Sequence, residues 1–294
     1  MAAWSDRAFV ALQRVLPTLL LTGMAHRLAS YENPRVAQFL IRQAMQAFNI
    51  SLDDADISDP QAYASFNAFF TRALNAQARP LAPAPDLLSP VDGTVSQIGA
   101  IRDGRIVQAK GLRYDVAELL DSTDHAAAYV DGDFLTIYLA PSNYHRIHMP
   151  LDARLTAARY VPGRLLSVNP ATVRTARRVF SANERLVCHF HGDTDTPACA
   201  LVLVGALFVS GLETVATGVV TPPHGGRPRD WSFAPPVALA RGAELGRFNY
   251  GSTVILLLPR GWIWNDAVEP GSTVRMGESL ARPPSLTEPA RRTS

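Results

Sequence analysis

The spacing of apolar positions along the 294-residue chain changes near residue 80. Before it, apolar residues recur every three or four positions, which predicts amphipathic helices. Asn33-Pro34, a cap residue followed by a proline in the first turn, begins one of them. Its apolar stripe is Val36, Leu40, Ala44 and Phe48. A further helix is predicted from Asp59-Pro60, with the apolar residues Phe66, Phe69, Phe70 and Leu74.

After residue 80, short apolar runs alternate with Gly, Pro, Asp and Asn, a pattern that predicts β-strands. The clearest runs are 94–98, 134–139, 186–190, 200–209, 215–220 and 254–258. The segment 221–236, rich in Pro, Gly and Arg, is predicted to be a loop. Helices followed by strands indicate an α+β fold, with N-terminal helices preceding a mainly antiparallel β-rich domain. We therefore divide the chain into a helical region 1–80, a β-rich domain 81–280 and a disordered tail 281–294.

The composition and net charge narrow the range of functions but do not identify one. A net charge of only +2 does not suggest a nucleic-acid partner. The two cysteines, Cys188 and Cys199, lie in strand-like stretches and are interpreted as buried thiols in a reducing compartment. His189 and His191 flank Cys188 on one strand face, but a structural role is favoured over metal binding.

The N-terminal segment is the candidate for membrane contact. The apolar run 15–21 is interrupted by Pro17 and is far shorter than the roughly 20 residues that span a bilayer. The segment has no convincing A-x-A-like cleavage site, so a signal peptide is not favoured. An amphipathic helix in the membrane interface is favoured, with Arg7 and Arg14 opposite an apolar face. That face consists of Phe9, Leu12, Leu16 and Leu20. The alternative is a pair of helices packed on the domain.

Gly251-Ser252-Thr253 is the most informative feature for chemistry. A glycine without a Cβ precedes a hydroxyl, and a buried strand follows, so Ser252 is placed to attack its own backbone at Gly251. The second Gly-Ser-Thr, at Gly271, follows a proline and is predicted to be a simple turn.

A reactive serine needs a base, and the base needs an orienting group. His145 and His148 stand together in Tyr-His-Arg-Ile-His-Met-Pro, and Asp92 lies in the turn Pro-Val-Asp-Gly. Asp92, His148 and Ser252 would form a triad, although each alone is also compatible with a structural role. The H-x-x-H pair has no neighbouring Cys or Glu that completes a zinc pattern, so no metal is predicted. The G-x-S-x-G motif of α/β-hydrolases is absent at Ser252.

Several motifs appear in an order that resembles the phosphatidylserine decarboxylase proenzymes of the bacterial, membrane-associated type. The resemblance extends from about residue 4 to about residue 280. Its motifs, given by position, are 69–74 (FFTRAL), 79–80 (RP), 90–93 (PVDG), 108–111 (QAKG), 144–150 (YHRIHMP), 160–163 (YVPG), 183–185 (NER), 204–206 (VGA) and 251–253 (GST).

The resemblance implies self-cleavage between Gly251 and Ser252, with Asp92 and His148 assisting. The serine hydroxyl converts the amide to an ester, elimination releases the N-terminal fragment, and hydrolysis leaves a covalent pyruvoyl group and ammonia. That carbonyl would form a Schiff base with phosphatidylserine and accept electrons as CO2 leaves, giving phosphatidylethanolamine. His145 is the candidate to protonate the carbanion, as a group with a pKa near working pH.

The resemblance also implies partners and a location. The two fragments, α and β, are expected to stay associated, and the processed enzyme is expected to be a homodimer. Its location is expected to be peripheral, on the cytoplasmic side of the cell membrane, next to its phospholipid substrate.

One residue departs from the family pattern. An aliphatic residue, often Leu, commonly precedes Gly-Ser-Thr, and here it is Tyr250, which could slow processing. Two other functions remain open from the residues alone. A serine hydrolase that uses Asp92, His148 and Ser252 on a lipid ester predicts an intact chain. A non-enzymatic β-rich membrane adaptor predicts that Ser252→Ala has no effect.

Overall fold

The structure is a computed structural model that describes residues 4–109, 111–193, 197–207, 211–249 and 253–283. The helices in these ranges are α1 (Trp4–Val15), α2 (Thr18–Ala29), α3 (Pro34–Phe48), α4 (Phe66–Phe70), α5 (Val116–Leu120), α6 (Thr123–Ala127), α7 (Pro170–Thr175) and α8 (Val179–Ala182). The strands are β1 (Leu87–Leu88), β2 (Gly93–Ala100), β3 (Arg105–Ala109), β4 (Leu112–Asp115), β5 (Asp133–Tyr138), β6 (Arg146–His148), β7 (Ala153–Val161), β8 (Arg185–His191), β9 (Pro197–Val204), β10 (Leu212–Thr214), β11 (Gly218–Val219), β12 (Arg229–Leu239), β13 (Glu244–Phe248), β14 (Thr253–Leu258), β15 (Ile263–Trp264), β16 (Thr273–Val274) and β17 (Ser279–Arg282).

A large antiparallel sheet forms the centre of the β-rich part, in the strand order β12-β7-β8-β9-β14-β5-β2-β16. β14 is buried along its whole length. Because side chains alternate across a strand, Val254 and Leu256 enter one core and Ile255 and Leu257 the other. The predicted α+β class, with helices first and antiparallel strands after, is confirmed.

The two faces of this sheet have different covers. On one face, the core is shared with smaller strands, through residues such as Ile147 of β6 and Phe248 of β13. On the other face, the short helices and the β3–β4 hairpin supply the packing, through residues such as Leu119 of α5 and Phe180 of α8. β6 and β13 pair with each other and thereby hold the histidine motif above the first face.

Helix α3 forms as predicted, because the Asn33 side chain accepts hydrogen bonds from the first-turn amides of Arg35 and Val36. The helix predicted from Asp59 does not run unbroken. The structure has a 3₁₀ turn at Pro60–Ala62 and then α4, whose cap is Ser65. The Ser65 hydroxyl oxygen accepts a hydrogen bond from the Ala68 amide, so the helix restarts at a position that the apolar spacing does not reveal.

Pro17 separates α1 from α2, and the two helices meet at 84°. Gln13 ties α1 to the β-rich part, since its amide donates to Thr172 and accepts from the Ser167 amide. The predicted apolar face is not used in this packing, because Phe9 and Leu12 are exposed. Within the part of the chain that the structure describes, no single helix is long and apolar enough to cross a bilayer. Only the bent pair Asp6–Gln13 and Thr18–Ala29 meets that test, by length and composition alone.

Three predictions along the chain are corrected. The run 215–220 is not one strand, because Thr214 accepts from the Thr217 amide and closes a turn between β10 and β11. The segment 221–236 is not loop throughout, since β12 begins at Arg229. β12 pairs on one side only and contains two prolines, which an edge strand tolerates, so its sequence lacks the apolar pattern of a central strand. β17 continues to Arg282, inside the predicted tail, and residues 284–294 lie outside the described residues.

Candidate functional site

The motifs that the sequence singled out meet at one edge of the large sheet. β2 and β14 begin there, β5 ends there, and Thr253 pairs with Tyr138, which in turn pairs with Thr94. On the other side of β14, Thr253 pairs with Val204 and Val204 with Arg185. At Thr253, β14 therefore enters the sheet between the strands that follow the Pro-Val-Asp-Gly and Asn-Glu-Arg segments.

Asp92 is held at this edge by an arginine. Its two carboxylate oxygens accept hydrogen bonds from Arg79, at 3.0 Å from Nε and 2.5 Å from Nη2, and one also accepts from the Met276 amide at 2.8 Å. Burial lowers the pKa of Arg79, but its hydrogen bonds to Asp92 and Asp54 outweigh that effect and raise it. A Cβ at Gly93 would lie 2.6 Å from the Tyr138 carbonyl oxygen, so only glycine allows this turn to enter the sheet.

His148 is oriented by a backbone carbonyl. Its Nδ1 lies 2.8 Å from the carbonyl oxygen of Gly242, which can only accept, so Nδ1 carries the proton. Nε2 then keeps its lone pair and accepts from the Tyr144 hydroxyl at 2.9 Å. Burial lowers the pKa of His148, against the opposing effects of the Gly242 hydrogen bond and the charge of Glu244. A neutral imidazole with an unprotonated Nε2 is the form that a general base requires.

The predicted hydrogen bond between Asp92 and His148 is not formed. Within the described residues, Nδ1 of His148 is bonded to Gly242 instead, and Asp92 influences the imidazole only through its charge. The two residues are nevertheless neighbours through the backbone, because the His148 amide donates to the Pro90 carbonyl at 2.8 Å. Asp92 and His148 are thus brought together as predicted residues of one site, but the orienting group of His148 is Gly242.

His145 is completely buried against the ring of Phe70, with ring centroids 4.0 Å apart. Its Nδ1 donates to the Asn143 carbonyl at 2.8 Å, and its buried Nε2 has no partner among the described residues. Burial lowers the pKa of His145 to about 3. The expectation of a pKa near working pH is therefore wrong, because the surroundings are too apolar to solvate an imidazolium.

The helix α4 and the residues after it cover the site. Arg146 donates to the Thr71 carbonyl at 2.9 Å, and Asn67 donates to the Asn249 side chain at 3.2 Å. Asn249 therefore fixes the chain two residues before Gly251. A cavity of about 310 Å³ lies beside this cover and is lined by Asp92 and Tyr144 among others.

Gly251, Ser252 and Tyr250 lie outside the described residues, as does Lys110. The residue next to the cleavage position, Thr253, is 1% exposed, and its hydroxyl has no partner among the described residues. Two buried polar atoms, Thr253 Oγ1 and His145 Nε2, thus have no hydrogen-bond partner among the described residues. Across the described ranges, no group of three or more His, Cys, Asp or Glu side chains has the geometry to hold a metal ion.

Comparison with known proteins assigns the family. A family model described as phosphatidylserine decarboxylase matches residues 66–282, and a second, described as PSD, matches residues 8–49. The chain belongs to the phosphatidylserine decarboxylase family. The phosphatidylserine decarboxylase proenzyme of Chromobacterium violaceum is 48% identical over 94% of this chain and 99% of its own length. Those of Azotobacter vinelandii and Xanthomonas euvesicatoria pv. vesicatoria are also 48% identical, over 94% and 92% of this chain and 98% of each relative.

Membership of a decarboxylase family makes this chain a lyase, and neither the serine hydrolase nor the non-enzymatic adaptor is supported. Sequence reasoning missed two residues that contact the predicted site residues Asp92 and His148. Arg79 was visible in the Arg-Pro motif but had no role attached to it. Gly242 gave no signal, because it contributes only a carbonyl oxygen from a chain segment 94 positions away.

Proposed function

We propose that this chain cleaves itself between Gly251 and Ser252 and decarboxylates phosphatidylserine through the pyruvoyl group that results. The reaction, from phosphatidylserine to phosphatidylethanolamine, is that of the family to which the chain belongs. The observation that carries the self-cleavage proposal is the state of His148. Its Nδ1 is committed to the Gly242 carbonyl, which leaves a lone pair on Nε2 in the buried, neutral imidazole.

In this proposal, His148 Nε2 takes the proton of the Ser252 hydroxyl, and the hydroxyl oxygen attacks the Gly251 carbonyl carbon. The Tyr144 hydroxyl must turn away from Nε2 for that transfer, since one lone pair cannot accept both protons. Asp92 contributes a negative charge that favours the imidazolium formed when His148 accepts the proton. Arg79 holds Asp92 in place through two hydrogen bonds.

The residues around the cleavage position fit a carbonyl group. Thr253 Oγ1 is a buried hydroxyl with no described partner, and it can donate to a carbonyl oxygen. His145 Nε2 is a buried acceptor, which suits a proton on a bound substrate amine. The pyruvoyl carbonyl would supply the electron sink for decarboxylation, a role that no ordinary side chain can fill.

His145 retains a proposed role close to the reacting carbon, but not as a ready-made acid. With a pKa of about 3, it is neutral near pH 7 and can donate from Nε2 only after taking a proton from another group. We propose that it receives that proton from the bound substrate and returns it to the carbanion after CO2 leaves. A bound ammonium that gives up its proton on reacting with the carbonyl is a chemically sufficient source.

Intact-mass spectrometry of the wild type beside Ser252→Ala tests the maturation step. We expect the wild type to appear as residues 1–251 and 252–294, with the second fragment lighter than a serine terminus by the change to pyruvoyl. The variant is expected to remain whole. An intact wild type would contradict the proposal, and Tyr250→Leu would then show whether the tyrosine before Gly251 is the cause.

We further propose that the processed enzyme is a homodimer that lies on the cytoplasmic side of the cell membrane, with α1 and α2 in the interface. The exposed Leu12, Leu20 and Met24, at 54%, 61% and 60%, support this, because a helix pair with such residues in water gains from contact with lipid. Flotation with liposomes is expected to be lost in Leu12→Ser/Leu20→Ser and kept in the surface variant Arg105→Ser. Sedimentation equilibrium in detergent tests the dimer.

A further inference from the structure

The Asn-Glu-Arg motif has no part in the chemistry described so far, yet Glu184 is completely buried. Its Oε2 accepts from the Tyr160 hydroxyl at 2.7 Å and from the Gly225 amide at 3.3 Å. Its Oε1 lies 3.0 Å from Nδ1 of His224. A buried carboxylate is costly unless it is paired, and these contacts satisfy it while fixing His224 with Nδ1 as the donor.

Within the part of the chain that the structure describes, one ring nitrogen of His224 has no hydrogen-bond partner. Its side chain is only 5% exposed, and its Nε2 is buried with no hydrogen-bond partner among the described residues. Buried polar atoms almost always have a partner, so an orphaned one is open to a water or a ligand atom. Nδ1 of His26, on α2, is orphaned in the same way. Both histidines line one cavity.

The residues that line that cavity are of the kind expected in a lipid-binding site, mainly apolar with a few polar groups. Its volume is about 640 Å³, and it lies between α2, with Leu19, Leu20 and Met24, and the loop residues Pro222 and Pro223. Arg27 adds a positive charge at its rim. The apolar wall continues into the exposed side of α2, so a chain leaving the cavity would remain in contact with the surface proposed above to meet the membrane.

Its position relates it to the reacting residues. Glu184 immediately precedes β8, as Ser252 precedes β14, and Arg185 and Thr253 both pair with Val204. Because neighbouring strands are about 4.8 Å apart, the backbones of β8 and β14 are about 10 Å apart at this edge. β2, the strand that follows Asp92, lies two strands from β14 on its other side, at a similar distance.

We infer that the cavity between α2 and the 222–224 loop binds the phosphodiester and the adjoining acyl chain of the phospholipid substrate. His224 Nε2, held by Glu184, contacts a phosphate oxygen. The serine headgroup would then extend from this anchor toward the cleavage edge. An imidazole backed by a carboxylate can carry a proton on Nε2 and donate it to an anionic oxygen. Arg27 supplies a positive charge, and His26 a second polar atom.

Two substitutions at His224 separate binding from a structural role. Asparagine reproduces the Nδ1 donor toward Glu184 but has nothing at the Nε2 position, whereas glutamine reaches the Nε2 position but leaves Glu184 without that donor. We expect His224→Asn to raise the KM for phosphatidylserine in mixed micelles about tenfold, with a much smaller change in kcat. His224→Gln is expected to stay within about threefold of the wild-type KM. His125→Asn, a surface histidine, is the control.

The reverse order, with asparagine near wild type and glutamine impaired, would overturn the inference and leave a structural tie between Glu184 and the loop. A second measurement does not need turnover. Native mass spectrometry of the full processed enzyme is expected to show phosphatidylethanolamine adducts that His224→Asn weakens, whereas diacylglycerol, which lacks the phosphate, binds both proteins equally weakly. Competition by inorganic phosphate as strong as that by the lipid would show a free-anion site and would also overturn the assignment to phospholipid.

Discussion

The hydroxyl of Tyr144 lies 2.9 Å from Nε2 of His148 and donates its proton to that nitrogen. Burial raises the pKa of Tyr144, so the hydroxyl remains a donor across the working range. The base proposed for self-cleavage is therefore already engaged by its neighbour. In the proposed self-cleavage, Tyr144 and Ser252 would compete for one lone pair, so we expect Tyr144 to restrain maturation.

Replacing Tyr144 with phenylalanine is expected to speed self-cleavage. The ring packing is kept, and one hydrogen bond to a neutral acceptor is removed, so a gain of about two- to tenfold follows from the ordinary net value of such a bond. The measurement is the time course of fragment formation after cell-free synthesis. Tyr114 lies in the core between the large sheet and the short helices, and its buried hydroxyl has no described partner. Tyr114→Phe should therefore leave the rate unchanged. Slower cleavage in Tyr144→Phe would mean that the hydroxyl assists the step.

The pH dependence of self-cleavage reports on His148. Burial lowers the folded pKa of His148, so the free lone pair is lost only as pH falls through a value below the usual 6.5. We expect the cleavage rate to be level near neutral pH and to reach half its maximum below pH 6.5.

A charge change at Glu244 should move that midpoint in a known direction. Glu244 raises the pKa of His148 by its charge, and it also pairs with Arg146, whose charge lowers the pKa. Glu244→Gln removes the charge that raises the pKa of His148, and it leaves the charge of Arg146, which lowers that pKa, without its partner. The midpoint of the cleavage profile is therefore expected at a lower pH than in the wild type, and a rise instead would show that His148 is not the titrating group.

The sequence predicted the fold class correctly, and it singled out motifs that meet at one edge of the large sheet, because both depend on local pattern. Gly93 begins β2 at a point where a Cβ would strike the Tyr138 carbonyl, and β14 is apolar from Val254 to Leu258 because both of its faces are covered. Contacts between distant segments were not predictable in the same way. Gly242 reaches His148 through a backbone oxygen, and His224 reaches Glu184 across 40 positions, so neither leaves a periodic signal. The strand β12 was missed because an edge strand needs no apolar alternation.

The pair between Arg79 and Asp92 should make a large contribution to stability. Their side chains are 9% and 8% exposed, so removing the arginine leaves a buried carboxylate without its partner. Arg79→Met is expected to lower the free energy of unfolding by about 3 kcal/mol, measured by urea denaturation in the uncleaved Ser252→Ala background. Asp92→Asn added to it should recover part of the loss.

A matched control for this pair lies on the surface. Arg105 contacts Asp115 at 2.9 Å, but the two side chains are 60% and 37% exposed. Arg105→Met is therefore expected to change the free energy of unfolding by less than about 1 kcal/mol. Equal losses in Arg79→Met and Arg105→Met would mean that burial does not set the strength of the Arg79 pair.

Acid should destabilise the folded chain through His189, whose ring stacks on His125 with centroids 3.9 Å apart. Burial, with smaller contributions from the neighbouring His125 and His191, lowers the pKa of His189 to about 3. The unfolded chain takes up this proton near pH 6.5, but the folded chain does not, so protonation favours unfolding. The effect is absent above pH 6.5 and grows by about 1.4 kcal/mol per pH unit until the folded pKa is reached.

His189→Phe removes this proton-linked loss while keeping a planar ring beside His125. Whatever its effect at about pH 7.5, the variant should gain about 1.4 kcal/mol relative to the wild type when unfolding is repeated at about pH 5.5. Both measurements use urea denaturation in the Ser252→Ala background, so that one uncleaved chain unfolds. A difference between variant and wild type that is the same at both pH values would show that His189 is protonated equally in the folded and unfolded chains. The acid sensitivity would then have to arise at other groups, such as the buried imidazole of His145, whose folded pKa is also about 3.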